Sequence, residues 1–457
     1  MRKIEFPITG IIHSKDRNIT FYQDEFAFTF MDASISPLQL VEIQPEHQFL
    51  HGRTRNGSNI AIYAGSKPFA VYGSASIETG AFIISNYYDD SKLTSFRAIK
   101  FCGGILNKLY EHDSFDFESN SQSAVLINMK DNHEQYEFTF NNMQCKMTIG
   151  SYTSMQFGSN VMKSQIGDGD IELTIEFPSE QSLETIINVY NSIKDMVSFM
   201  AFRRNVRFDR IVLMQYKVLN LPSEFTDEAT TVLDDFATAY FKEDKEITSK
   251  DCRDCLHFSD FGESITNFLE LFFNYNEENI SYMLGFIPNS DFNARMMSSG
   301  KVREICSSLE CELSYVKDLC EEESSDLPNL IKKVKNVVKE HRNGEKPLSE
   351  KTYDLIFGSI RQWSMSASDR IYLLYERHWK AVSKLKPVKC FINKESITQL
   401  VKYRNDITHG RSRVIDFHIA GTASAMIAVV YCCLLSRIGM TEEEIIALSN
   451  NKEYLLK

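Results

Sequence analysis

Apolar and polar positions alternate through the first half of the chain and recur at helical spacing through the second. Residues 19–22, 26–30, 60–63, 69–72 and 81–84 are short runs of aromatic and β-branched side chains, the composition of strands. Residues 136–140 and 172–177 alternate with period two, as half-buried strands do. Asn56-Gly57 and Gly167-Asp168-Gly169 mark turns. One helix interrupts this region. It is predicted over 182–202, with Ile186, Ile187, Val189, Tyr190, Ile193 and Met196 on one face. A further strand over 206–216 closes the region.

Helices are predicted beyond it, over 264–273, 301–320, 327–341, 349–363, 368–385, 394–408 and 414–438. The fold class expected is therefore a multidomain α+β chain. A β-rich N-terminal domain, 1–217, is followed by a helical connection, 218–298, and an all-α C-terminal domain, 299–457. The boundary falls near Leu219-Asn220-Leu221-Pro222-Ser223. Residues 419–435 hold no charge, but the run is short for a membrane span and rich in small residues, so it reads as a buried core helix. The acidic run 321–323 reads as a solvated helix end.

Composition narrows the function. The 457 residues are 43% hydrophobic and carry a net charge of -12, so the chain as a whole repels nucleic acid and anionic membranes. A polyanion could bind only at a local basic patch. The N-terminus shows no apolar signal segment, and the ten cysteines lack regular spacing, which points to reduced thiols and a cytoplasmic location.

Such a patch exists. Between Arg377 and Arg413 stand ten basic residues and only two acids, Glu395 and Asp406. The rest of the chain holds 40 of the 50 basic and 60 of the 62 acidic residues. Inside the patch, Ile397, Leu400 and Val401 mark a buried helix face, and the next inward position is Arg404. His409 follows five residues later, about 140° further round a continuous helix, and Gly410 offers a C-cap that would end the helix there. Arg404 can hold a phosphate with its planar fork. His409 can exchange protons near neutral pH. The residue pattern alone leaves open a plainer arrangement, in which Arg404 pairs with an acid on a neighbouring helix and His409 only caps its own.

Arg404-Asn405-x-x-x-His409 resembles the Arg-x4-6-His motif of HEPN ribonucleases, with a polar residue directly after the arginine. Its place on the penultimate long helix of a helical C-terminal region, behind an aromatic-rich β region, is similar to ApeA-type HEPN proteins of bacterial anti-phage defence. The resemblance implies a metal-independent endoribonuclease that needs no cofactor. Arg404, Asn405 and His409 would be catalytic, and the RNA 2′-hydroxyl would be the nucleophile. Lys402, Arg411 and Arg413 would contact RNA, either tRNA or another cellular RNA. The resemblance also implies a dimer or higher oligomer formed through the helical domain, and a phage-derived trigger acting on the N-terminal domain. Two alternatives stand beside it: a non-catalytic HEPN protein that grips RNA or a partner, and the toxin of a toxin–antitoxin pair.

Three weaker signals remain. Cys252, Cys255 and His257 could supply three zinc ligands, with Cys306, Cys311 or Cys320 as a fourth, but no second close pair is present and free cysteines are the favoured reading. Trp379, next to His378, could stack on a base or pack at a rim. Arg203, Arg204, Arg207 and Arg210 form a basic cluster that could bind RNA or the acidic run 321–323, with a solvated surface the favoured reading.

Overall fold

The computed structural model describes residues 7–14, 17–31, 49–64, 69–71, 74–86, 93–110, 115–119, 125–129, 133–151, 154–156, 165–167, 170–219, 230–243, 246–275, 280, 282–316, 326–342, 344, 347–361, 366–387, 392–411 and 414–456. The chain forms two compact units. The first comprises Met1–Met200, Asn205–Cys252 and His257–Asn274; the second comprises Ala201–Arg204, Arg253–Leu256 and Tyr275–Lys457. A β-rich N-terminal part and a helical C-terminal part are thus present, as an α+β chain should have.

The strands of the first unit are β1 (Ile8–Ser14), β2 (Arg17–Asp24), β3 (Ala27–Met31), β4 (Phe49–Thr54), β5 (Asn59–Tyr63), β6 (Phe69–Val71), β7 (Ser74–Glu78), β8 (Ala81–Ser85) and β9 (Ser95–Cys102). After a short helix, α1 (Leu106–Leu109), come β10 (Phe115–Ser119), β11 (Val125–Met129), β12 (His133–Phe140), β13 (Met143–Ser151), β14 (Ser154–Gln156), β15 (Gln165–Gly167) and β16 (Ile171–Ser182). Helix α2 (Thr185–Ala201) precedes β17 (Arg210–Leu219) and β18 (Thr230–Phe241), and α3 (Ile265–Phe273) ends the unit. Fourteen of the described strands make one antiparallel sheet, ordered β12-β13-β16-β9-β17-β18-β8-β5-β4-β1-β2-β3-β7-β6. β10 pairs with β11 and β14 with β15 as separate hairpins.

Alternation sets which face is buried. In β3 the pattern runs exposed, buried, half-buried, buried, exposed, with Phe28 and Phe30 inward. Phe21, Phe28, Ile60, Ile62, Ile77 and Phe82 share the core of β1 to β8. Phe82 lies 5.6 Å edge-on to Phe28 and stacks at 4.8 Å on Tyr240 of β18. Pro178 interrupts β16 where the register with β9 shifts between Glu176 and Gln181, a place where its missing N–H costs no ladder bond. The Asn56-Gly57 turn joins β4 to β5 with Gly57 at φ 89°. Of Gly167-Asp168-Gly169, the last two lie outside the described residues.

Two expectations need correction. The helical connection over 218–298 contains β18, a long strand in the interior of the sheet. The β-rich unit therefore runs past the expected boundary, whose residues 220–223 lie outside the described ones. The strand expected over 206–216 begins later, at Arg210.

The second unit contains α4 (Asp291–Arg295), α5 (Ser299–Leu313), α6 (Asp326–Arg342), α7 (Glu350–Arg361), α8 (Ala367–Leu385), α9 (Lys394–Thr408), α10 (Phe417–Arg437) and α11 (Glu442–Asn451). α10 is the one described helix long and apolar enough to cross a membrane, and 72% of its apolar window is buried within the structure. α5, α8, α9 and α11 pack against it. The acidic run 321–323 lies outside the described residues.

Phe82 is 0% exposed, so truncating it should leave a cavity beneath β3 and β18. Phe82→Ala is expected to cost about 3–5 kcal/mol in denaturant unfolding, as large-to-small core changes do. A loss below about 1 kcal/mol, the scale of an ordinary surface change, would show that this core is not closed as described.

Candidate functional site

α9 carries the motif, and both of its ends are fixed by local chemistry. At the start, the Asn393 side chain accepts the Ser396 N–H at 2.8 Å while the Ser396 hydroxyl oxygen accepts the Asn393 N–H at 3.0 Å. At the end, His409 is the C-cap, with φ −87° and ψ 15°. Gly410 follows at φ 75°, the left-handed region that glycine enters without steric cost. The Gly410 N–H returns to the Ile407 carbonyl at 3.1 Å and the Arg411 N–H to the Asp406 carbonyl at 2.9 Å. This paired closure satisfies carbonyls that the helix end would leave bare.

The buried face of α9 is Ile397, Leu400, Tyr403 and Asp406. The inward position expected for Arg404 is therefore shifted: Tyr403 takes the interior, and Arg404 stands at the edge with 23% of its side chain exposed. The Tyr403 hydroxyl is 2.8 Å from the Ser299 hydroxyl of α5, which anchors the helix in this rotation. From the edge, the Arg404 guanidinium donates to the Glu310 carboxylate of α5 and, at 3.0 Å, to the Asn405 side-chain oxygen. Cys306, one turn back on α5, lies under this pair, and burial pushes its thiol up to about 12 even though Arg404 opposes the shift.

The other expected site residues fall as follows. His409 is exposed, and its ring meets no hydrogen-bond partner among the described residues. Arg404 and Asn405 are thus brought together, while among the described residues His409 shares no side-chain hydrogen bond with either and meets Asn405 only through the backbone, its N–H on the Asn405 carbonyl at 3.1 Å. Lys402 is exposed. Arg411 reaches back to the buried Asp406 carboxylate at 3.1 Å. Arg413 lies outside the described residues. Glu310 was not foreseen. The sequence signal for it was only that an acid must stand near a half-buried arginine.

α5 also holds the end of α10. Glu312 is 1% exposed and sits 3.2 Å from Arg437, close enough to pair, but its Oε1 finds no aligned hydrogen bond. Burial pushes its carboxyl up to about 7 against the pull of Arg437. Arg437 in turn lies over the rings of Tyr315 and Tyr275, at 4.3 and 5.2 Å.

The weaker signals resolve in part. Of the four arginines only Arg207 is exposed, as the expectation of a solvated cluster requires. Arg203 is buried and bonded to Asp291 at 2.8 Å, and Arg204 donates to the Leu284 carbonyl. Arg207 lies 3.6 Å from Glu243 and Arg210 lies 3.5 Å from Glu172. Cys252 Sγ is 3.3 Å from His257 Nε2, which also contacts the Cys252 carbonyl at 3.0 Å. Among the described residues no group of three or more histidine, cysteine or acidic side chains is placed to hold a metal. Cys320 lies outside the described residues. His378 is buried and lowered to about 4 by that burial and by Arg377, while Trp379 beside it is half-exposed.

Comparison with known proteins finds no family model, no characterised relative and no solved structure that matches this chain.

Glu312 supplies a pH test of how α5 is held. Its carboxyl moves from an ordinary 4.5 to about 7, so between those values the folded chain keeps a proton that the unfolded chain has released. Its contribution to stability therefore falls as pH rises through that window. Denaturant unfolding followed across the window should show that decline in the natural chain and lose the component in Glu312→Gln. Identical pH slopes in the two proteins would contradict a buried, poorly compensated Glu312.

Proposed function

We propose that the chain is a metal-independent endoribonuclease of the HEPN type, acting in the cytoplasm in anti-phage defence. The observation that carries this reading is the end of α9. One helix presents a half-exposed guanidinium bonded to Asn405, and its glycine-closed terminus presents a free, exposed imidazole at His409. Both groups stand in a strongly basic stretch of an acidic protein, where a polyanion would be drawn.

The chemistry follows from these groups. Arg404 binds the scissile phosphate and stabilises charge as the neighbouring 2′-hydroxyl attacks. His409 moves the proton. Asn405 holds the guanidinium in orientation. Lys402 and Arg411 hold adjoining phosphates, and Arg413 belongs to the same basic run. Phosphate binding at Arg404 has to displace Glu310, so the resting ion pair restrains the site. The second arginine–histidine unit needed for a paired cleft would come from another copy of the chain, joined through the helical unit. The β-rich unit would receive the infection trigger.

One observation favours the second reading, a non-catalytic RNA- or partner-binding protein. Arg404 already has an anionic partner in Glu310, as a purely structural arginine would.

The readings separate on RNA cleavage. His409→Ala should abolish cutting and leave RNA affinity largely intact, because proton transfer rather than binding is lost. Arg404→Lys should not restore full activity, since an ammonium lacks the bidentate fork. Cutting should survive EDTA and leave 2′,3′-cyclic phosphate ends. Full activity in His409→Ala, or strict dependence on Mg²⁺, would defeat the nuclease mechanism. Glu310→Gln should tighten RNA binding in a filter assay; unchanged binding would show that Glu310 does not compete for Arg404.

A further inference from the structure

A cavity of about 880 Å³ opens at the N-terminal end of α5, within the helical unit and outside the arginine–histidine motif. Its volume falls in the range of small-molecule sites, roughly 300–1,000 Å³. Three cations line it, Arg204, Lys301 and Arg303, against one acid, Glu304. Arg204 donates to the Leu284 carbonyl at 2.9 Å and Lys301 to the Asn293 carbonyl at 3.1 Å. Arg303 is exposed. Among the described residues none of the three lies at ion-pair distance from a carboxylate. This differs from Arg203, Arg404, Arg411 and Arg437 of the same unit, each of which has one.

Two further features accompany the charge. Ser298 caps α5 by accepting the Lys301 N–H at 3.2 Å, which leaves the N–H groups of Ser299 and Gly300 without helical acceptors. Gly300 lines the cavity with no side chain over its backbone, and a Cβ there would meet only the Ser298 hydroxyl, at 3.8 Å. Two aromatic rings also stand in the wall, Tyr282 at 58% and Phe292 at 70% exposed. Rings left this open in a cavity wall are faces without a stacking partner. Phe202, held at φ 50° just after α2, directs Arg203 and Arg204 to this region, where the Arg204 N–H bonds the Pro288 carbonyl at 2.9 Å.

We propose that this cavity binds a nucleoside phosphate. Its phosphate meets Lys301, Arg303 and the open first turn of α5, where helix N–H groups and the dipole favour an anion. Its base stacks on Tyr282 or Phe292, an interaction open to every base. The amides of Asn289 and Asn293 border the same space and can bond base edges. The state of Lys301 fits this role: burial, and then the charge of Arg203, lower its ammonium to about 8, a strain that a bound anion relieves. The ligand can be a free nucleotide or one nucleotide of an RNA strand, and the proposal does not depend on cleavage at Arg404.

The test is calorimetric titration of the full chain with the four nucleoside 5′-monophosphates, ATP, inorganic phosphate and a uridine hexamer. One saturable site for nucleoside phosphates is expected. Arg303→Glu, a surface change, and the double change Lys301→Gln with Arg303→Gln should each weaken it about tenfold or more, the scale of a lost charge-assisted hydrogen bond. Phe292→Ala should weaken nucleotides and leave inorganic phosphate unaffected. Tight hexamer binding that the monophosphates displace marks an RNA strand as the source. Monophosphate binding without hexamer binding marks a free nucleotide. Absence of binding at millimolar ligand, equal affinity in Arg303→Glu, or phosphate bound as well as nucleotide would each overturn the proposal.

Discussion

α10 is apolar round its whole circumference over its central turns, and the helical unit is arranged to cover it. Every residue from Ala425 to Leu435 is buried. Such a helix has no solvent face, so neighbours must enclose it, and α5, α8, α9 and α11 do so. Each of these carries a narrower apolar stripe and leaves a polar face outward. In α8 the buried positions Ile371, Leu374, His378, Ala381, Val382 and Leu385 follow helical spacing. The position of α9, and with it the arginine–histidine motif, is a consequence of this enclosure.

α5 converts that packing into chemistry. Its buried face holds Val302, Ile305, Leu309 and Glu312, while Arg303, Ser307 and Glu310 follow at i, i+4 and i+7 on the open side. Glu312 turns inward to Arg437 at the end of α10, and Glu310, two residues earlier, turns to Arg404 on α9. The open stripe begins at the cavity wall and ends at the motif. Arg303 at the cavity and Glu310, the partner of Arg404, therefore stand on the same helix, about two turns apart at 3.6 residues per turn.

Much of the fold could be read from the chain, because alternation and helical periodicity are local. The extent of α9, Lys394–Thr408, matches its predicted range, and Gly410 ends it as expected. What escaped depends on partners distant in sequence. β18 carries Asp234 and Asp235, poor strand formers. They are tolerated because Lys217 and Lys100 on other strands meet them at 3.2 and 3.1 Å. β9 was hidden in the same way, since its Lys100 is largely buried between Glu172 and Asp235. α11 carries a local signal of its own, a capping box of Thr441 and Glu444 at its start. At the site, the two ends of α9 were local and readable. The choice of Tyr403 over Arg404 for the interior was not, because it is set by Ser299 a hundred residues away.

The Arg404–Glu310 pair is the point where packing and function meet most directly. Glu310 is 46% exposed, so water screens the pair and its contribution to stability is small, on the scale of a surface ion pair, roughly 0–1 kcal/mol. The enclosed pair of Arg437 with Glu312 differs, since the Glu312 side chain is 1% exposed and burial raises its carboxyl to about 7. A weak, solvent-accessible pair has a different physical use. It keeps a cation at a fixed edge of α9 without neutralising it beyond recovery, and a dianionic or chain phosphate with more acceptor oxygens can replace the carboxylate at little cost. The basic stretch from Arg377 to Arg413 lowers that cost further by raising the local concentration of anions. Such an exchange of partners is what the proposed function asks of Arg404.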